Sequence, residues 1–304
     1  MAVRGRSRRR AVVVVSAVVA GAAVIAAVAI ALALSGQEDT VAEPDPTPTS
    51  SPTRSPEPTP EPTPTPTGFP ENTTSYDLTS LQLVEVFEVN AALPVDDEPY
   101  GETAGVSAQP LEAGAPVFAD PEGEPVAYLP RTQHFEGTVV PVVEEQEHWV
   151  RVLLVGRQSV PSVGDPGQVT GWLRTSDVEL TDNPFHVEVS LSQRTIDVVT
   201  DDGSERVAED FASGAAATPT PVGRSFIMMT RTASLAYTRG LPLVYLSVQS
   251  PTLDGFDGQS VAVTAFHYHD ARSGAISNGC IRLDEAAISR LAELPAGTPV
   301  FVRE

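Results

Sequence analysis

Hydrophobic and polar positions divide the chain into four stretches of different pattern. From Ala11 to Gly36 there is no charge, and Val, Ala, Ile and Leu fill the run behind Arg4, Arg6, Arg8, Arg9 and Arg10. As a helix, Ala11–Leu34 reaches roughly 36 Å, enough to cross a hydrocarbon core of about 30 Å. The basic flank then stays in the cytoplasm and everything after Ser35 lies outside. Ala31-Leu32-Ala33 resembles a small-residue cleavage site, so a cleaved signal peptide is the rival reading. The apolar run, however, is longer than the roughly 7–15 residues of a signal core. A retained anchor is the expectation.

From about Glu43 to Pro70 the pattern is Pro, Thr, Ser and Glu with nothing apolar to bury. Proline at that density excludes helix and sheet. An extended spacer of about 85 Å is expected. Beyond it, short apolar runs broken by Gly and Pro read as strands: 116–119, a pair at 137–143 and 148–155, then 169–172 and 178–180. Their order, with the phrase VPVVEEQEHWVRVLLVGR…GQVTGWLRTSDVEL, resembles bacterial SH3-like modules. Trp149, Gly171 and Trp172 carry that resemblance, and both tryptophans are expected in the core. His134 and His148 have no ligand spacing and are expected at the surface.

The last stretch, 185–303, is again β-patterned. Val187, Val189 and Leu191 alternate, then Ile196 and Val198, with Asp201-Asp202-Gly203 as a hairpin turn. Further strands are expected at 225–230, 243–248 and 261–269. One helix is legible: Asp284 caps it, Ala287, Ile288, Leu291 and Leu294 form its apolar stripe, and Pro295-Ala296-Gly297 stops it.

Composition narrows the function. The formal net charge is −21, and past residue 10 the chain holds 14 Arg, no Lys and 40 acidic residues. Such a surface repels phosphate backbones, so no nucleic-acid partner is expected. No Cys/His cluster has zinc spacing and no dinucleotide or P-loop glycine motif occurs. No metal or other cofactor is expected. There is one cysteine, Cys280, which on an exported chain is inert core, an intermolecular bridge or a reactive group.

The neighbours of that thiol favour the third reading. Ser277-Asn278-Gly279-Cys280-Ile281-Arg282 combines small polar, amide, glycine, thiol and arginine. A strand ending Phe266-His267-Tyr268-His269 precedes it, and period-two geometry puts both histidines on one face. An imidazole can take the thiol proton and favour the thiolate, then return the proton to a leaving amine. Gly279 allows a bend that aims amides at a developing oxyanion. Arg282 offers a fork suited to a carboxylate, or a salt bridge to an acid such as Asp284.

ISNGCIRL after FHYH resembles the S/T-x-G-C-x-R signature of the L,D-transpeptidase (YkuD-type) family. FHVEVSLSQRTIDVVTDDG is similar to the family's opening hairpin, and SGAAATPTPVGRSFI to its TPTP-x-G segment. The resemblance implies a mainly β fold. It also implies a peptidoglycan transpeptidase that forms 3→3 cross-links through a Cys280 acyl-enzyme, with stem peptides as partners and carbapenem-type β-lactams as covalent inhibitors. His267 is then the base, with His269 as alternate, and Ser277, Asn278, Gly279 and Arg282 serve the oxyanion or substrate. Two departures stand out. Asn278 replaces the histidine that the family most often has, and Cys280 follows His267 by 13 residues and His269 by 11, closer than the family's usual spacing.

The expected organisation is a cytoplasmic segment at 1–10, an anchor at 11–34, a disordered linker at 35–74, an SH3-like β module at 75–182 and a catalytic domain at 183–304. The catalytic domain is placed outside the membrane, in the cell-wall zone. An L,D-carboxypeptidase, a protein-to-wall ligase or a non-catalytic wall-binding anchor are the alternatives.

Overall fold

The computed structural model describes residues 68–304; the expected basic segment, anchor and most of the spacer lie outside them. Among the described residues no helix is long and apolar enough to cross a membrane.

The Gly- and Pro-punctuated runs fold into two sheets. The first contains β1 (Gln82–Leu83), β2 (Val106–Pro110), β3 (Gly114–Phe118), β4 (Pro125–Pro130), β5 (Val140–Glu145), β6 (Trp149–Leu154), β7 (Val169–Arg174) and β8 (Val178–Asp182). They order as β1-β4-β3-β7-β6-β5-β2-β8. All neighbours are antiparallel except β1 and β4. β6 is buried on both faces, which is why it reads as a near-continuous apolar run.

Trp149 is fully buried, its indole N–H donating to Pro70 O (2.9 Å) and its ring edge-on to Phe118 at 5.0 Å. Trp172 is only half-buried and meets Phe69 edge-on at 5.5 Å. The boundary read from sequence therefore moves: residues 68–74, assigned to the end of the linker, lie against the first sheet. Arg174 Nη1 donates to the carbonyls of Asn72 and Thr74, and Gln146 accepts from Phe69 N. Phe69, inside the stretch read from sequence as having nothing apolar to bury, is the apolar group that packs here.

The second sheet contains β9 (His186–Ser190), β10 (Thr195–Thr200), β11 (Gly203–Ala208), β12 (Ala212–Gly214), β13 (Gly223–Thr232), β14 (Pro242–Gln249), β15 (Val263–Tyr268), β16 (Gly274–Ser277), β17 (Ile281–Leu283) and β18 (Pro299–Arg303). Its order is β11-β10-β9-β18-β13-β14-β15-β17-β12-β16. β10 and β11 form the expected hairpin around Asp201-Asp202. The single helix, α1 (Glu285–Leu291), is capped by Asp284, whose carboxylate accepts from Ala287 N. It is shorter than its apolar stripe: Leu294 is buried beyond the helix end.

Among the described residues the fold is thus mainly β with one short α-helix. The two sheets belong to one compact unit, and β13 is the seam between them. Phe226 and Met228 join the core of the first sheet and Ile227 that of the second; after a register shift in the pairing with β14, Met229 joins the first as well. Arg224, at the start of β13, pairs bidentately with Asp96 (both contacts 2.8 Å), with side-chain exposures of 1% and 2%.

Candidate active site

β15 is buried along most of its length, and it ends by carrying His267 into a cavity. Its parallel pairing with β17 sets Phe266 opposite Ile281 and His267 opposite Arg282. Cys280, the residue before β17, is thereby brought to the end of β15 where the histidines emerge. The intervening segment folds back through β16, which pairs with β12. Cys280, His267, His269, Asn278, Ser277 and Arg282 line one cavity of about 200 Å³. A larger cavity of about 510 Å³, lined in part by Pro219–Val222, contains neither thiol nor histidine. Chemistry, not size, singles out the smaller one.

The two histidines are distinguished by what their Nδ1 atoms meet. His267 Nδ1 lies 2.8 Å from Tyr268 O, an acceptor only, so Nδ1 carries the proton and Nε2 keeps its lone pair. His269 Nδ1 accepts from Ala271 N at 2.9 Å, so its proton sits on Nε2. Of the neutral rings, His267 offers a base and His269 a donor. Burial lowers the pKa of His267, with Arg282 and His269 adding to the effect against its Tyr268 bond. Burial and Arg282 lower that of His269. Tyr268 points elsewhere, donating to Asp270 Oδ1 at 2.7 Å.

Burial raises the pKa of the Cys280 thiol, opposed by the Ala265 backbone and by Arg282. Burial thus favours the neutral form of both the thiol and the imidazole that line this cavity. That revises the sequence expectation of a thiolate, because desolvation outweighs the charges at hand.

The Cys280 turn is rigid. Gly279 has φ +112°, and a Cβ there would meet nothing nearer than Pro219 O at 3.5 Å. The dihedral, not space, demands glycine. Ser277 Oγ donates to Cys280 O (2.6 Å) and accepts from Gly279 N (3.2 Å). The Ser277 hydroxyl proton and the Gly279 amide are thus both engaged inside the turn. Asn278 is exposed and lines the cavity.

From the other side Thr218 Oγ1 donates to Ser277 O (3.0 Å) and Thr220 Oγ1 to Gly279 O (2.8 Å). The segment 218–222 has no regular structure beyond a bend at Thr218, and it braces the Cys280 loop. Arg282 makes no ion pair among the described residues, and Asp284 is engaged at the helix cap. The salt-bridge reading of Arg282 falls; its Nε is buried without a partner and its side chain lines the cavity.

Sequence reasoning missed Tyr237 and Phe256. Tyr237 sits 5.2 Å edge-on to His267 and 5.6 Å from His269, and Phe256 forms part of the opposite lining. Tyr237 lies in a 3-10 turn (Ala236–Thr238) and Phe256 in a loop, both far from the thiol in sequence, where no periodicity marks them. Among the described residues no cluster of His, Cys, Asp and Glu has the makings of a metal site.

Residues 184–302 match the YkuD family model, an L,D-transpeptidase catalytic domain. Similar solved structures include an L,D-transpeptidase from Mycobacterium smegmatis (14% identity, 52% of this chain and 91% of that one, TM-score 0.32). Another is from Mycobacterium tuberculosis H37Rv (17%, 52% and 91%, TM-score 0.31). A third, from Stackebrandtia nassauensis, is 22% identical over 41% of this chain and 57% of that one (TM-score 0.29). No curated protein matches the chain. The match of the family model covers β9 to the end of β18 short of its last residue, with the thiol, both histidines and Arg282 inside it, and so residues 184–302 are the part of this chain that matches the YkuD L,D-transpeptidase catalytic domain.

Proposed function

We propose that the protein is a membrane-anchored cysteine transpeptidase acting outside the cytoplasm on peptidoglycan stem peptides. The observation that carries the chemistry is the His267 Nδ1 contact with Tyr268 O, which leaves Nε2 unprotonated in the cavity that holds Cys280.

In this reading His267 Nε2 takes the thiol proton as Cys280 Sγ attacks the carbonyl of the donor peptide. The Tyr268 carbonyl, on Nδ1–H, steadies the imidazolium that forms. The tetrahedral oxyanion is met by Cys280's own N–H and by the Asn278 side-chain amide, since the Gly279 amide is engaged. His267 returns its proton to the leaving amine as the C–N bond breaks, giving a thioester. A second stem's side-chain amine attacks the thioester, passes its proton to His267 and releases the thiol with a 3→3 cross-link. Arg282, free of carboxylates, favours the sulfur anion and faces a carboxylate of the stem.

The starting state is a neutral pair, so proton transfer accompanies attack instead of preceding it. The upstream organisation fits this work: an anchor at 11–34, a spacer that lifts the catalytic part into the wall, and an SH3-like module over 75–182. Short antiparallel strands around the buried Trp149 support the last assignment.

Intact mass after incubation with a carbapenem, whose strained carbonyl mimics the donor, should show one adduct that Cys280→Ala abolishes. A Cys280→Ala protein with undiminished cross-linking would end the proposal. Digested wall fragments report the acceptor: dimeric muropeptides support transpeptidation, trimmed tripeptides a carboxypeptidase, and stems joined to protein a ligase.

A further inference from the structure

One buried cation ties the first sheet to the wall of the Cys280 cavity. Arg157 follows β6, is 1% exposed and has no ion-pair partner among the described residues. Its Nη2 donates to Asp254 O at 2.6 Å and to Ser260 O at 2.9 Å, while Nη1 is buried without a partner. Burying a guanidinium on two carbonyls is costly even with the Asp254 charge nearby, and an apolar side chain would hold two sheets together as well. The arrangement is therefore specific in what it grips.

The two carbonyls lie on the outgoing and returning legs of the loop 250–262. Between them Phe256, half exposed, forms part of the cavity lining with Ala262 and Val263. The legs are close: a Cβ on Gly255 would stand 2.0 Å from Gln259 O. Phe256 N donates to Val261 O and Gln259 N to Phe256 O, so the tip moves as a unit with its base. A second grip comes from the same side. Ser162 N (2.9 Å) and Oγ (2.6 Å) both donate to the Asp254 carboxylate.

We infer that Arg157 is a positioning residue for the Cys280 cavity, fixing through the Asp254 and Ser260 carbonyls the loop that presents Phe256 to the donor. This rests on the proposed transpeptidase reading. The first sheet is then part of the donor site, and Phe256 supplies an apolar face for the aliphatic body of a stem peptide or the fused ring of a β-lactam.

The test uses the full chain and compares saturation kinetics of Cys280 acylation by a carbapenem in the parent, Arg157→Met, Arg157→Lys and Phe256→Ala. Arg157→Met should raise the half-saturating concentration about 10-fold with little change in the limiting rate. Alkylation by iodoacetamide, which needs no cavity wall and has one cysteine to report on, should be unchanged. The ammonium of Arg157→Lys reaches for the same carbonyls and should restore part of the loss. The Arg157→Met/Phe256→Ala double variant should be no worse than Phe256→Ala alone.

Acylation of Arg157→Met equal to the parent, losses that add, or alkylation falling in step would overturn the role. Should Arg157→Met not fold, Ser162→Ala takes its place, and an unmoved half-saturation in that variant counts against the role equally. A parent that gives no adduct refutes the reading of the site itself. A parent adduct with unmoved variants refutes only the positioning.

Discussion

At the scale of single residues, the site turns on which ring nitrogen carries a proton. His267 and His269 stand two apart at the end of one strand and look alike in sequence. Their Nδ1 partners, a carbonyl and an amide, give them opposite tautomers. His267→Asn should lower the acylation rate about 100- to 10,000-fold, the range for losing a general base, whereas His269→Gln should stay within about tenfold of the parent.

The pH profile follows from the same burial. The folded pKa of His267 lies below 6.5, so the fold favours its neutral form. The associated stability is complete above 6.5 and is lost as pH falls through the folded value. Turnover, which needs the neutral ring, should likewise hold to below pH 6.5 before it declines. An acid limb centred above 6.5 in kcat/KM would contradict the assignment. With Cys280 raised above 9.0, no thiolate-driven rise is expected near neutrality.

At the scale of elements, the Cys280 thiol is placed by a parallel strand pair and a turn. β15 and β17 set the register that brings thiol and imidazole to one end of the sheet. The turn before β17 is held internally by Ser277 and externally by Thr218 and Thr220. Gly279→Ala tests the turn. The site has room for a methyl group but not the dihedral, so strain of about 1–3 kcal/mol is expected. Because the turn holds the sulfur, Cys280 acylation should fall more than melting temperature does; a variant with lower Tm and parental acylation would separate turn from chemistry.

At the scale of the whole molecule, the two sheets are joined by polar contacts as well as by β13. The Arg224–Asp96 pair is almost wholly excluded from water. Asp96→Ala leaves a buried guanidinium without its carboxylate and should destabilise the protein by about 3–5 kcal/mol in urea unfolding. Replacing both residues by apolar ones of similar volume should recover much of that loss. A negligible effect of Asp96→Ala would mean that the pair is solvated in solution.

The sequence by itself determined the mainly β class, the 201–202 hairpin, the capped helix and the group of residues around Cys280. Each of these depends on neighbours within about ten positions: alternation, a two-residue turn, a cap and its stripe, or a signature run. Tertiary structure alone decided which ring nitrogen of each histidine carries its proton, since the tautomer depends on backbone atoms whose direction the chain beyond the strand sets. It also decided that Ser277 and Gly279 hold the turn together, that Arg282 has no ion-pair partner among the described residues, and that residues 68–74 are packed. The placing of Phe256 by Arg157 joins positions about a hundred residues apart, and no local pattern encodes a contact between a cation and two carbonyls.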